Sequence, residues 1–122
     1  MSTLIDRVKI SAAGKQQLST LKRRTGIEHY NIICRHALCA SLANRSPPPQ
    51  ESMQFSGGLE IDWHTFAGDS DDTLLNVIIG RALADDMEVT SQSIRHVLTL
   101  HLHRGLSYLA SNSEGLMPTQ YS

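Results

Sequence analysis

The sequence predicts a mainly α-helical single domain of four helices, spanning residues 1–122 and entered through one short strand. Three observations carry this reading. Apolar residues recur at spacings of three and four in four separate stretches, each introduced by a turn or a capping residue. Strict polar–apolar alternation is clearest in Arg7 to Ser11, RVKIS, which marks a short half-buried strand. The run Ser46-Pro47-Pro48-Pro49 cannot continue a helix and divides the chain into two helical halves. A length of 122 residues suits one domain with a modest core.

In the strand, Val8 and Ile10 share the inner face while Arg7 and Lys9 point outward. Ser11 is the expected N-cap of a first helix running to about Arg24, with Leu18 and Leu21 inward. Three cations, Lys22, Arg23 and Arg24, fall in its last turn and complement the negative end of the helix dipole. Gly26 then supplies the left-handed residue that stops the helix. A second helix follows directly, with Ile27, Tyr30, Ile33, Cys34, Ala37, Leu38 and Ser41 as its core stripe, and ends near Asn44. The prolines and Gln50-Glu51-Ser52 form a stiff polar connector.

Gly57-Gly58 is the expected turn of a small hairpin, with Phe55 on one side and Leu59, Ile61 and Trp63 alternating on the other. Trp63 and Phe66 are expected to be packed. Asp69 or Ser70 caps a third helix to about Asp86, with Leu74, Leu75, Ile78, Ile79, Ala82 and Leu83 inward. Thr90 or Ser91 caps a fourth, carrying Ile94, Val97, Leu98, Leu102, Leu106 and Leu109. The tail from Ser111 is polar, contains Gly and Pro, and is expected to fray. Gly105 interrupts the last helix at a cost of about 1 kcal/mol relative to alanine, so a close neighbour is expected there, either within the subunit or from another copy.

Apolar residues make up 40% of the chain but aromatics only 5%, so Leu, Ile, Val and Ala do most of the packing. No apolar run is long enough to span a bilayer, and no secretory leader is visible. Cys34 and Cys39, five apart on one helix, face different directions, which excludes a disulfide or a shared metal site. Reduced thiols without an export signal point to the cytoplasm.

Net charge is −1, but its distribution is lopsided. Residues 1–50 hold eight Lys and Arg against Asp6 and Glu28, a balance of +6; residues 51–122 hold three against ten acids, a balance of −7. The first half therefore suits a polyanion and the second suits solvent or a basic partner. The cluster Lys22-Arg23-Arg24 and the start of the second helix together form a corner suited to phosphate.

No catalytic or metal-binding signature is present: GxSxG, HExxH, Walker A and paired CxxC are all missing. His101 and His103 lie two apart and face opposite sides of a helix, so they cannot chelate one ion and are expected to be surface or partly buried histidines. Asp71-Asp72 and Asp85-Asp86 are explained by helix ends. No cofactor and no enzymatic activity are expected. The strand–helix–helix order of residues 7–44 resembles a ribbon–helix–helix DNA-binding unit, in which strands of two subunits pair and enter the major groove; Arg7 and Lys9 would then face the bases.

Three stretches, LKRRTGIEHYNIICRHALCASL at 21–42, EIDWHTFAG at 60–68 and LHLHRGLSYLA at 100–110, are similar to the DndE family of the bacterial DNA phosphorothioation (DNA sulfur modification) system. They cover about a third of the chain, in the family's order and spacing. The matching positions are Lys22, Arg23, Arg24, Gly26, Arg35, Trp63, His101, His103, Arg104 and Gly105. Glu28-His29 departs from the family, where a more basic or neutral pair is expected. The resemblance implies a helical protein without a catalytic motif of its own, working on DNA beside a cysteine desulfurase and other modification proteins.

Together these readings predict a non-catalytic component that binds duplex DNA, with a preference for nicked duplex, through phosphate contacts and without sequence specificity. Its candidate contacts are Lys15, Lys22, Arg23, Arg24 and Arg35, with Arg7 and Lys9 as secondary candidates. Gly26 and Gly105 are the structural or oligomer positions, and a homo-oligomer is expected, a tetramer before a dimer. The competing expectations are a ribbon–helix–helix repressor that reads bases and an adaptor that binds only protein.

Overall fold

The computed structural model describes residues 4–111. Its elements are β1 (Arg7–Ile10), α1 (Ala12–Thr25), α2 (Tyr30–Leu42), β2 (Leu59–Asp62), α3 (Trp63–Ala67), α4 (Asp71–Ala84) and α5 (Ser91–Ser111), with a 3-10 turn at Gly68–Ser70 before α4. The architecture is thus four longer helices and one short helix around a two-stranded antiparallel sheet. The polar segment beyond Ser111 lies outside the described residues.

Helix α1 forms as its sequence dictates. Ser11 is extended at the N-cap and its Oγ accepts from the Gly14 N–H at 3.0 Å. The buried positions Gly14, Leu18 and Leu21 repeat at helical spacing. Gly26 closes the helix at φ 77°, donating its N–H to the Lys22 carbonyl at 3.0 Å. Helix α5 has a reciprocal cap: Thr90 Oγ1 accepts from the Ser93 N–H, and Ser93 Oγ accepts from the Thr90 N–H.

The core sits between α2 and α5, the most extensively packed pair, with α1 and β1 laid against α5. Gly105 is the reason the two helices approach so closely. A Cβ there would lie 1.7 Å from the Ala37 carbonyl oxygen of α2, so the close neighbour is in the same chain. Trp63 and Phe66 are buried and stacked, with centroids 5.6 Å apart and planes at 22°.

Four expectations change in detail. The second helix begins at Tyr30 rather than at the glycine stop, because Ile27-Glu28-His29 runs outside the helix and His29 makes no side-chain cap. The Gly57-Gly58 turn feeds β2, but the strand's partner is β1 rather than the Phe55 segment, with Ile10 opposite Leu59 and Arg7 opposite Asp62. Gly58 permits this closure, since a Cβ there would sit 1.9 Å from the Ile10 carbonyl oxygen. Trp63 does not extend the strand: Asp62 accepts from the His64 N–H and starts α3. On α4, only Ile78 and Ala82 are fully buried; Leu83, expected inside, is 58% exposed.

Candidate nucleic-acid interface

Lys22, Arg23 and Arg24 are all exposed at the C-terminal end of α1, and Gly26 turns the chain sharply behind them. The first turn of α2 faces the same corner. Lys22 Nζ lies 5.5 Å from the Tyr30 ring centroid, a cation–π contact that steadies the ammonium beside the helix start. Between the helices is a cleft of about 220 Å³ lined by Lys22, His29, Tyr30, Asn31 and Ile61, together with Glu28. Glu28 puts one negative charge among these groups and opposes a phosphate inside the cleft, which leaves the outer rim of cations as the anion-facing part. Lys15 is exposed two turns earlier on α1 and shares the face of Lys22.

Arg35 does not join this corner. It is half-buried, and its Nη1 donates to the Ala67 carbonyl at 3.3 Å, at the end of α3. Asn31 Nδ2, one turn earlier, donates to the Thr65 carbonyl at 3.1 Å. Together they brace α3 against α2, a role visible only once α3 exists. Arg7 is outward on β1 and paired with Glu60 at 3.0 Å; Lys9 is outward beside it. Strand β1 finds its partner in β2 of the same chain, which is not the intersubunit pairing of a ribbon–helix–helix unit.

Arg104, Arg81 and His101 surround the far end of α2. That end carries no basic residue of its own. Arg104 supplies the missing cation: its Nε donates to Ser41 Oγ and its Nη2 to the Ser41 carbonyl, both at 2.8 Å, while Nη1 reaches the Ser46 carbonyl at 2.8 Å. Arg81 donates to the carbonyls of Leu42 and Ser46 and pairs with Asp85 at 3.2 Å. The two guanidiniums thus satisfy orphan carbonyls of α2 and pin the connector at Ser46. Arg81 went unrecognised as a candidate because no local sequence pattern links it to a helix end 39 positions away.

Of the α5 histidines, His96 is exposed, whereas His101 and His103 are buried rather than surface groups and serve opposite flanks as their spacing requires. Ser41 Oγ, which accepts the Arg104 N–H, also shares a hydrogen bond with His101 Nδ1, 2.8 Å away. Burial and the nearby Arg81 and Arg104 charges lower the His101 pKa to about 4, so the ring is neutral. Its Nε2 is buried without a hydrogen-bond partner among the described residues. His103 Nδ1–H donates to the Thr99 carbonyl at 2.7 Å, and Nε2 accepts the Ser11 N–H at 3.0 Å. Burial lowers its pKa as well. Cys34 is buried, its thiol pushed up to about 12, and Cys39 is exposed; both are free. Among the described residues no cluster of three or more His, Cys, Asp or Glu could hold a metal ion, and no helix is long and apolar enough to cross a membrane.

With this geometry in place, the comparisons with known proteins decide the family. The model of the DNA sulphur modification protein DndE matches residues 7–115, nearly the whole chain. The chain belongs to the DndE family. The fold agrees with the crystal structure of DndE from Escherichia coli B7A, described as involved in DNA phosphorothioation modification. The two share a TM-score of 0.73 and 24% identity over 88% of this chain and 99% of that one. Among curated proteins no match was found. All three stretches that resembled DndE therefore fall within the matched span, and Gly105 and Arg104 have physical roles within it.

Proposed function

We propose that this DndE-family chain is a non-catalytic DNA-binding component of the DNA sulfur modification system. In this reading it grips duplex DNA through phosphates, without reading bases. The carrying observation is the exposed Lys22-Arg23-Arg24 corner, held at the end of α1 by Gly26 and flanked by the first turn of α2. Lys15 extends the same face. Cations on a rigid helix end can position a protein on a polyanion but carry no sequence information. Partner modification proteins would meet the acidic half of the chain, in the cytoplasm.

A homo-oligomer, a tetramer before a dimer, multiplies one small patch into useful avidity. The outer face of α4 supports this. Val77 is 46% and Leu83 58% exposed, and Thr73, Asn76, Gly80 and Ala84 share their side, with Asp72 at its N-terminal edge. Nicked duplex is the favoured ligand in this reading. A nick is a hinge, and bending there avoids the few kcal/mol of elastic cost that a continuous duplex imposes.

Fluorescence anisotropy on intact and nicked duplexes of one sequence, across a salt series, tests these statements. The logarithm of affinity should fall linearly with the logarithm of salt, and replacing Lys22, Arg23 and Arg24 by alanine should flatten the slope by about 3. Salt-independent binding, or an unchanged triple variant, would remove the phosphate reading. Equal affinity for the two duplexes would remove the preference for the nick. Light scattering that gives a monomer mass at micromolar concentration would remove the oligomer.

A further inference from the structure

The outward face of the β1–β2 ribbon takes no part in the α1 corner. Ile61, on the ribbon's inner side opposite Val8, borders the cleft with Lys22, whereas Arg7 and Lys9 open onto a separate groove of about 560 Å³. This groove runs between β1 and the first half of α5, where Gln92 and Arg95 complete its polar wall. Three cations line it against one acid, Asp6, while Glu60 neutralises part of Arg7 from outside.

Phe55 also lines this basic groove and is 40% exposed. It is one of only two phenylalanines in a chain poor in aromatics, and the other, Phe66, is fully buried. Its ring is propped edge-on against the buried His103 at 6.2 Å and 84°, and His103 is itself tied to Ser11 and Thr99. The aromatic is therefore mounted on a fixed support rather than free on a loop. A partner recognised by charge alone gives this ring nothing to do. A continuous duplex keeps its bases stacked on each other, and so offers an exposed ring no partner either. A single strand supplies both requirements, a phosphate track for the cations and an unstacked base for the ring.

We propose that the groove between β1 and α5 binds a short single-stranded nucleic-acid segment, with Arg7, Lys9 and Arg95 on the phosphates and one base stacked on Phe55. The site is independent of the duplex reading of the α1 corner. The test is anisotropy with a labelled twelve-residue oligo-dT and with an abasic strand of equal length, using the full chain. Phe55→Leu keeps apolar volume against His103 but removes the stacking face. It should weaken oligo-dT about tenfold and leave the abasic strand unchanged. Phe55→Tyr should bind oligo-dT as the parent does, and Arg95→Ala should weaken both strands.

Parent protein that binds oligo-dT no better than the abasic strand, or a Phe55→Leu variant with unaltered oligo-dT affinity, overturns the proposal. Alanine at Lys22, Arg23 and Arg24 separates the two sites. Oligo-dT binding that keeps its dependence on Phe55 in that background supports a distinct groove, even if duplex binding proves absent. Oligo-dT binding that vanishes with the three cations assigns the strand to the α1 corner and overturns the groove.

Discussion

Gly105→Ala should destabilise the protein by about 2 kcal/mol, although alanine is the better helix former. In an exposed helix the exchange gains about 1 kcal/mol. Here the added methyl would sit 1.7 Å from the Ala37 carbonyl oxygen, 2.3 Å from its carbon and 2.9 Å from its Cα. That is about 1.5 Å inside ordinary contact, and the atoms met are main chain rather than a side chain that could rotate away. Relief requires α2 to move relative to α5 across the largest interface of the fold. Overpacking of a fixed core costs about 1–3 kcal/mol, and rigid backbone places this site at the top of that range. The difference, about 2 kcal/mol, corresponds to roughly 8 °C in melting temperature for a chain of this size. Circular dichroism melts of the two proteins read it directly. Gly80→Ala on α4 is the internal control, since its methyl would meet nothing within 4 Å in the subunit and should gain about 1 kcal/mol. A Gly105→Ala variant as stable as the parent would refute the close-approach argument. Destabilisation at Gly80 would instead report a neighbour contributed by another copy.

Two further outcomes follow from the α2–α5 network. His101 has a pKa near 4 in the fold against about 6.5 free, so the unfolded chain binds the extra proton between those values. Its contribution, about 3 kcal/mol, is therefore complete above pH 6.5 and is lost as pH falls toward 4. Urea titrations from pH 7.5 to 4.5 should show stability falling through this window, less steeply in His101→Gln; a flat profile would defeat the assignment. Arg104→Lys keeps the charge but loses the fork that reaches the Ser41 and Ser46 carbonyls, so about 2 kcal/mol of stability should go with it. Full stability of the lysine variant would show that charge alone suffices.

Features governed by neighbours in sequence were legible before the structure. Ser11, the Lys22-Arg23-Arg24 turn and Gly26 announce the first helix and its end because caps and stops are local chemistry. The exposed corner of the candidate site came with them. Features governed by distant pairing were not. Gly57-Gly58 looked like a hairpin because a turn signal says nothing about which strand will be the partner, and here the partner is nearly fifty residues back. Arg35 read as one more member of a basic surface, since the α3 carbonyl that draws it in belongs to a helix the alternation of Leu59, Ile61 and Trp63 concealed. The exposure of Leu83 was hidden for a different reason: an apolar stripe looks the same whether it faces a core or an unoccupied side of the domain.

The pairing of β1 with β2 also sets the order in which the protein can be completed. Ile10 meets Leu59 across a loop that contains all of α1 and α2. Closing so long a loop carries an entropic cost that only the finished contacts repay. The Ser11 amide depends on His103 of α5, 92 residues later in the chain. Strand β1 is thus satisfied only by elements made after it, and its nucleation falls to the helices in between. Synthesis proceeds from the N-terminus, but this fold cannot close from that end. The ribbon can pair once β2 has been made, but the Ser11 amide at its end must wait until α5 exists.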